Sequence, residues 1–222
     1  MNMFLATFFD INIMMQALPL LLKGAVTTLK LCAVVIICGL FGGLMLALRA
    51  LSPRGWLRWG SVIYIDLFRA IPPLVLLIFV YSGLPFAGLE LAPFSAVVIA
   101  FFMNNSAYFA EVFRAGINAV PKGQTEAARA TGLSPTQTMI HVVLPPAIRN
   151  VLPDLLSNTV EVVKLTSLAS VVSLSELLYS ANMARSVTYN ASPLVLAALL
   201  YLAVLWPLVR IISRYQRGLA VK

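Results

Sequence analysis

Long apolar runs alternate with short polar segments along most of the chain, and five of the runs are long enough to cross a lipid bilayer. Because an α-helix rises about 1.5 Å per residue, roughly 20 apolar residues span a hydrocarbon core about 30 Å thick. The pattern predicts transmembrane helices at about 19–48, 61–82, 93–114, 154–179 and 193–212. We therefore expect an all-α integral membrane protein with five transmembrane helices, folded as a single domain over residues 1–222.

Some positions depart from a simple apolar span. Residues 1–16 are apolar but contain Asp10, so we expect a short segment at the membrane interface. Pro72 and Pro73 should kink or unwind the second span, because proline breaks the helical hydrogen-bond ladder. Asn104 lies within the third span, where a polar side chain is costly unless it meets a partner or a watery cavity.

Residues 120–153, which we call the loop segment, form the one long polar stretch of the chain. Pro121 marks a helix start, and residues 124–130 are good helix formers. Gly132 suits the left-handed conformation that commonly closes a helix. The pattern therefore predicts a short first helix that ends at this glycine.

A second short helix is predicted directly after Gly132. Ser134, with proline next to it and Gln137 three residues later, has the pattern of a capping box. The proline pair after Leu144 is expected to stop this helix, because proline disfavours helix in the residue before it. Two short helices set at an angle make a compact knob with small exposed residues, and such a knob suits docking.

Charge indicates how the chain is oriented. Sixty per cent of its residues are hydrophobic and 11% are charged, with a net charge of +8. A basic chain could bind nucleic acid, but in such an apolar chain the charge is typical of cytoplasmic loops rich in Lys and Arg. Only Lys23 and Arg185 fall on one side of the five spans. The other side receives Arg49, Arg54, Arg58, Arg114, Lys122, Arg129, Arg149, Arg210, Arg214, Arg217 and Lys222. This bias predicts an outside N-terminus, a cytoplasmic C-terminus and a cytoplasmic loop segment.

Residue types suited to catalysis or metal binding are sparse. Cys32 and Cys38 lie off the helical spacings that would face them together, so we interpret them as small hydrophobes. His141 is the only histidine and has no cysteine near it, which predicts no metal site. The chain contains no GxxxxGK(S/T) phosphate loop, no nucleophile elbow and no HExxH motif. We therefore expect no enzymatic activity and no cofactor in this chain.

Charges inside the spans are candidates for a substrate path. If the fourth span starts near residue 152, Glu161 and Lys164 lie roughly 14 and 18 Å inside it, where a charge needs a cavity or a partner. They could contact the ammonium and carboxylate of an amino acid, with Asn158 and Asn104 along the same path. Alternatively, Glu161 and Lys164 pair only with each other, because residues three apart are neighbours on a helix.

Two further charged pairs are expected on single helix faces. Glu111 and Arg114 are three residues apart near the predicted inner end of the third span. Asp66 and Arg69 have the same spacing on the second span and could pair in the same way.

Within the loop segment, the order Glu126-Ala127-Ala128, then Gly132, then Leu144-Pro145 resembles the EAA loop of permease subunits from ATP-binding-cassette (ABC) importers. The flanking stretches 107–117, 121–124 and 164–168 are similar to the polar amino acid branch, which includes histidine, glutamine, glutamate and arginine permeases. In that family the loop is the cytoplasmic coupling helix that sits in a groove of the ATPase subunit. The resemblance implies ATPase-coupling roles for Glu126, Ala127, Ala128, Gly132 and Ser134.

The resemblance implies the membrane-spanning permease subunit of an ATP-driven amino acid importer, located in the cell (inner) membrane. The expected partners are cytoplasmic ATPase subunits that bind ATP and Mg²⁺, a second permease chain that is a copy or a homologue, and an extracytoplasmic solute-binding protein that delivers a polar amino acid. The alternative is a secondary transporter or channel subunit that needs no ATPase. Five spans without an evident inverted repeat argue against that alternative.

Overall fold

The computed structural model describes residues 2–220, and every regular element in that range is helical. The α-helices are α1 Asn2–Phe8, α2 Ile11–Ala50, α3 Gly55–Ala70, α4 Pro73–Ile78, α5 Pro93–Asn118, α6 Lys122–Ala130, α7 Pro135–Thr138, α8 Leu144–Leu165, α9 Leu177–Thr188 and α10 Ser192–Ala220. Two π-helical turns cover Phe79–Gly83 and Met139–Val143, and two 3₁₀ turns cover Leu84–Ala87 and Thr166–Val172. The prediction of an all-α protein is confirmed.

Four helical stretches of the described residues are long and apolar enough to cross a membrane. A fifth crossing results if the bent pair of helical stretches Gly55–Ala70 and Pro73–Ala87 counts as one span. The four are Met3–Ala50, Pro93–Asn118, Pro135–Val172 and Ser192–Arg214. The multi-pass membrane architecture predicted from hydropathy is therefore confirmed.

The first long helix begins well before the predicted start near residue 19. The Asp10 carboxylate accepts hydrogen bonds from the N–H groups of Asn12 at 2.9 Å and Ile13 at 3.2 Å. Asp10 thus caps α2, and an acidic side chain is favourable at a helix N-terminus. The N-terminal stretch is α1 followed by this cap, and Met1 lies outside the described residues.

The proline pair Pro145–Pro146 does not stop the helix, contrary to the prediction. The chain stays helical from α7 through the π-turn Met139–Val143 into α8, and Leu144 N–H donates to Met139 O across five residues. Both prolines then fall in the first turn of α8. Each proline lacks an N–H, so the helical ladder loses two bonds here while the backbone stays helical.

The fourth span ends earlier than residue 179. After the 3₁₀ turn Thr166–Val172, Ser173 adopts a left-handed conformation with φ +57°. Glu176 then starts the separate helix α9, and its carboxylate accepts hydrogen bonds from Leu178 N–H at 2.9 Å and Tyr179 N–H at 2.6 Å. Hydropathy alone did not reveal this boundary, because the residues on both sides of it are mostly apolar or small.

The chain divides into two compact units. The first comprises Met1–Ile36, Pro72–Phe101 and Val160–Lys222. Its core includes Leu21 of α2, Leu177 and Ala181 of α9, and Ala197 of α10. A side chain at Gly24 would place its Cβ 2.7 Å from the carbonyl oxygen of Glu176, so glycine is required for the close approach of α2 to the start of α9.

The second unit comprises Ile37–Ile71 and Phe102–Thr159, and it contains the whole loop segment. The part of α5 in this unit packs closely on α2. A Cβ at Gly43 would lie 2.9 Å from the Ala110 nitrogen, and one at Gly39 would lie 3.2 Å from the Phe109 ring. These glycines therefore allow the close contact of the two helices.

Candidate functional site

The first helix of the loop segment, α6, ends in a left-handed glycine. Gly132 has φ +91°, and a Cβ built there meets no atom within 4 Å. Leu133 N–H donates to Ala128 O at 3.3 Å, and Gly132 N–H donates to Arg129 O at 3.1 Å. This pair of bonds is the Schellman motif, which satisfies the last carbonyls of a helix. The predicted role of Gly132 in closing the helix is confirmed.

The second helix of the loop segment, α7, begins with the predicted capping box. Gln137 N–H donates to Ser134 Oγ at 3.3 Å, and Ser134 N–H donates to Gln137 Oε1 at 2.9 Å. Pro135 occupies the first helical position. The turn between α6 and α7 therefore satisfies its backbone groups with its own residues.

An apolar cluster anchors the loop segment. Ile117, Val120, Val143 and Ala147 are buried together, with Leu48, Leu51, Met139 and Leu144 partly buried around them. Gly116 of α5 allows the close approach, because a Cβ there would lie 2.8 Å from the carbonyl oxygen of Ala147. The cluster thus packs the residues just before and just after the two short helices against the ends of long helices within one unit.

The residues assigned to ATPase coupling divide by exposure. Glu126, Ala127, Gly132 and Ser134 are exposed, whereas Ala128 is buried. Within the described residues, the Glu126 side chain has no hydrogen bond or ion pair, and α6 has no side-chain cap. The carboxylate of Glu126 therefore does not cap its own helix. Four of the five residues are therefore accessible to a partner, and the fifth, Ala128, is buried.

Glu161 and Lys164 pair with each other on α8. Lys164 Nζ lies 2.5 Å from Glu161 Oε1, and the two side chains are 60% and 50% exposed for Glu161 and Lys164 respectively. Lys164 also borders a groove of about 490 Å³ that is lined in addition by Ser167, Leu178, Leu194, Ala197, Ala198, Tyr201 and Leu205. The ion pair is therefore exposed, and its Lys164 side chain borders this groove.

The two asparagines of the predicted substrate path belong to the second unit, and Glu161 and Lys164 belong to the first. Asn158 is half-buried on α8. Asn104 is 1% exposed and donates from its amide nitrogen to Phe68 O at 2.8 Å, while its amide oxygen is buried without a partner in the described structure. The amide nitrogen of Asn104 therefore has the protein partner that a polar group in a span requires, whereas its amide oxygen has none among the described residues.

A charged cluster joins α3 and α5 in the second unit. The Arg114 guanidinium binds Glu111 at 2.5 and 3.0 Å, which confirms the predicted pair. Arg69 lies 3.8 Å from the same Glu111 carboxylate and stacks on the Tyr108 ring at 5.5 Å. Arg69 thus pairs across two helices with Glu111, where the sequence had indicated Asp66 on its own helix.

A buried network around Glu176 was missed by the sequence reasoning. Glu176 is fully buried, and besides capping α9 it accepts a hydrogen bond from the Tyr201 hydroxyl at 3.1 Å. Leu177 N–H donates to Thr28 Oγ1 at 3.1 Å, which ties α2 to the same turn. The available signal was the acidic residue ahead of an apolar helical pattern, which is a helix-start signature.

Comparison with known proteins identifies the family. The family model described as binding-protein-dependent transport system inner membrane component matches residues 39–220. YckA of Bacillus subtilis, described as a probable amino-acid ABC transporter permease protein, is 34% identical over 96% of this chain and 93% of its own length. ArtQ of the same organism, an arginine transport system permease protein, is 35% identical over 86% of this chain and 89% of its own.

A solved structure supports the same assignment. The crystal structure of an amino acid ABC transporter with histidines contains a chain that is 34% identical, with a TM-score of 0.86 over 94% of this chain and 98% of that one. The helical membrane fold, the EAA-like loop segment and these relatives agree. This chain belongs to the family of binding-protein-dependent transport system inner membrane components, and it is a permease subunit of an ABC amino acid importer in the inner membrane.

Proposed function

We propose that the loop segment is the surface on which a cytoplasmic ATPase subunit docks. The observation that carries this proposal is the exposed, self-capped knob formed by α6 and α7. The end of α6 and the start of α7 satisfy their own backbone groups, while Glu126, Ala127 and Gly132 stay exposed. Small residues permit close backbone approach by a partner helix or groove, and the unpaired Glu126 carboxylate can bind a partner cation.

The energy for transport comes from that partner in this proposal. The ATPase subunits bind ATP and Mg²⁺, because the present sequence has no phosphate-binding loop of its own. Closure of the ATPase pair would move the docked loop segments, and the spans would alternate access around a central path. Two permease chains, identical or homologous, would complete that path, with an extracytoplasmic binding protein to deliver the substrate.

We propose polar amino acids as the substrate class, with Glu161, Lys164 and Asn158 along the path; Asn104 is 1% exposed and bonded to Phe68, so it does not line the path. An exposed ion pair contributes little stability of its own, at most about 1 kcal/mol. Glu161 and Lys164 can therefore release each other and bind the ammonium and carboxylate of a free amino acid at small cost. Substrate-stimulated ATP hydrolysis by the reconstituted complex, measured against a panel of cationic, acidic and neutral amino acids, tests this class.

Docking is tested by cross-linking within the intact complex. A photo-cross-linking residue replaces exposed Ala127, and the matched control carries it at Phe86, which is 95% exposed outside the loop segment. We expect the ATPase subunit to be captured from position 127 and not from position 86. Capture of the ATPase only from position 86, or from neither position, would contradict the docking surface.

The proposed orientation places Ser134 in the cytoplasm and Gly88 outside. It follows from the cations of the loops and of the C-terminal region. Of these cations, Lys222 lies outside the described residues. Single cysteines at positions 134 and 88, in a background without Cys32 and Cys38, are exposed to an impermeant thiol reagent in whole cells. We expect labelling at 88 only. Labelling at 134 but not at 88 would reverse the orientation.

A further inference from the structure

The second span is broken at two consecutive prolines, and the break removes two hydrogen-bond donors. In a continuous helix, the carbonyls of Phe68 and Arg69 would accept from the N–H groups of residues 72 and 73. Pro72 and Pro73 have no N–H. The backbone is extended at the break, with ψ +126° at Ile71 and +134° at Pro72. The preceding carbonyl, that of Leu67, is already satisfied by Ile71 N–H at 3.2 Å.

Two side chains of α5 replace the missing donors in register. The Asn104 amide nitrogen donates to Phe68 O at 2.8 Å, and the Tyr108 hydroxyl donates to Arg69 O at 3.4 Å. Residues 104 and 108 are one helical turn apart, so they lie on one face of α5. Their spacing matches the two consecutive carbonyls that the proline pair leaves without partners.

The same face of α5 also holds the Arg69 side chain. Arg69 stacks on the Tyr108 ring, and its guanidinium lies 3.8 Å from the carboxylate of Glu111, one turn further along. The contacts of Asn104, Tyr108 and Glu111 therefore fix both the backbone and the side chain at the end of α3. Lipid offers no donor to a free carbonyl, so the break depends on these contacts.

We propose that Asn104 and Tyr108 are positioning residues that hold the second span in its broken form, and that transport requires this break. In secondary transporters, discontinuous spans commonly form substrate and ion sites, because unwound backbone carbonyls and the ends of half-helices face the path, and the proposal extends that role to the broken span of this permease.

Double-mutant cycles in the complete complex test whether Asn104 replaces the missing N–H of residue 72 and Tyr108 that of residue 73. Asn104→Leu should destabilise the native protein, lowering its melting temperature by on the order of 3 °C. In a Pro72→Ala background the effect should fall to roughly half or less, because the new backbone N–H at position 72 can reach the carbonyl oxygen of Phe68. Tyr108→Phe, which keeps the ring on Arg69, should couple in the same way to Pro73→Ala.

The crossed combinations and Tyr64→Phe are the matched controls. Tyr64 joins the same two helices, since its hydroxyl contacts Ser106 Oγ at 3.0 Å and Met103 O at 3.3 Å, but it does not face the break. Tyr64→Phe should be additive with both proline replacements, as should Asn104→Leu with Pro73→Ala. Additive effects for Asn104→Leu with Pro72→Ala would overturn the positioning roles.

Uptake separates the need for the break from stability alone. We expect Asn104→Leu to lower the maximal uptake rate of the reconstituted importer roughly fivefold with little change in KM. The variant Pro72→Ala/Pro73→Ala/Asn104→Leu, in which a continuous helix can form, should recover thermal stability and keep the low maximal rate. If it recovers both, the break has no part in transport and the proposal fails. The stability measurements do not depend on the docking proposal, so the two can fail independently.

Discussion

The broken second span and the loop segment each contain a proline pair, but the two pairs have opposite effects. Pro72–Pro73 separates α3 from α4, and side chains of α5 satisfy the carbonyls left behind. Pro145–Pro146 lies in the first turn of α8, where the helix continues from a π-turn without a break. The same dipeptide is therefore a break or a tolerated helix start, depending on the hydrogen bonds available just before it.

The two regions also satisfy their polar groups in different ways. At the break, donors come from a neighbouring helix, because the surroundings supply none. In the loop segment, donors and acceptors come from adjacent residues through the Schellman motif and the capping box. A region whose polar groups form hydrogen bonds within it leaves its surface available to a partner. A region whose polar groups bond to a neighbouring helix must keep its contact with that helix. This contrast leads to four predictions.

The largest expected effect is that of a charge on the self-satisfied surface. Gly132→Asp should lower uptake by about tenfold or more while leaving membrane insertion intact, because it places a carboxylate in the docking surface. A residue with a side chain in the left-handed backbone conformation also costs on the order of 1 kcal/mol of folding free energy. Uptake, membrane abundance and co-purification of the ATPase are measured together.

Gly88→Asp is the matched control for this change. Gly88 has φ +80° and, like Gly132, no atom within 4 Å of an added Cβ, so the backbone strain is the same. We expect Gly88→Asp to keep most of the uptake. Equal losses from the two variants, or normal uptake with Gly132→Asp, would show that the docking surface is misassigned.

The next effect compares the two proline pairs directly. Replacing Pro72 and Pro73 by alanine should lower the maximal uptake rate roughly fivefold, because a continuous helix can form through the break. Replacing Pro145 and Pro146 by alanine should leave the rate within about twofold, since the helix already continues there. Initial uptake rates normalised to membrane abundance measure the difference. A loss confined to the second pair would reverse the interpretation of both regions.

A smaller effect is expected at the exposed ion pair. Glu161→Gln should change the free energy of unfolding by less than about 1 kcal/mol, because both side chains are at least half exposed. If Glu161 contacts the substrate, the preference of the importer among cationic, neutral and acidic amino acids should shift. Thermal stability of the solubilised complex and substrate-dependent ATP hydrolysis are measured side by side. Lost stability with unchanged preference would instead support a purely structural ion pair.

The smallest effect concerns the cap of α7. Ser134→Ala should cost about 1 kcal/mol of local stability, because Gln137 N–H loses its acceptor. Gln137→Ala removes the reciprocal bond, and the double variant should lose less than the sum of the two. Hydrogen exchange of the amides in α7 measures this local effect. Faster exchange spread over the whole chain would contradict a local cap.

Local patterns were enough to predict the loop segment in detail. Gly132, Ser134 and Gln137 act through neighbours fewer than six residues away, so their roles follow from spacing and residue type. The proline pair at 145–146 was misjudged because a π-turn requires only one shifted hydrogen bond, and no residue type marks it. The Glu161–Lys164 pair was also visible from spacing, since both residues lie on one helix.

Hydropathy and residue spacing by themselves determined the membrane class, the positions of most spans and the local caps, because each depends on contacts within a few residues or on the solvent around a helix. Only the tertiary structure decided which distant group satisfies each buried polar atom. Nothing in the spacing of Asn104 assigns it to the carbonyl of Phe68, and nothing near Glu176 indicates Tyr201. Such pairs join residues 25 to 36 positions apart, and the packing of separate helices selects them from many partners of similar chemistry.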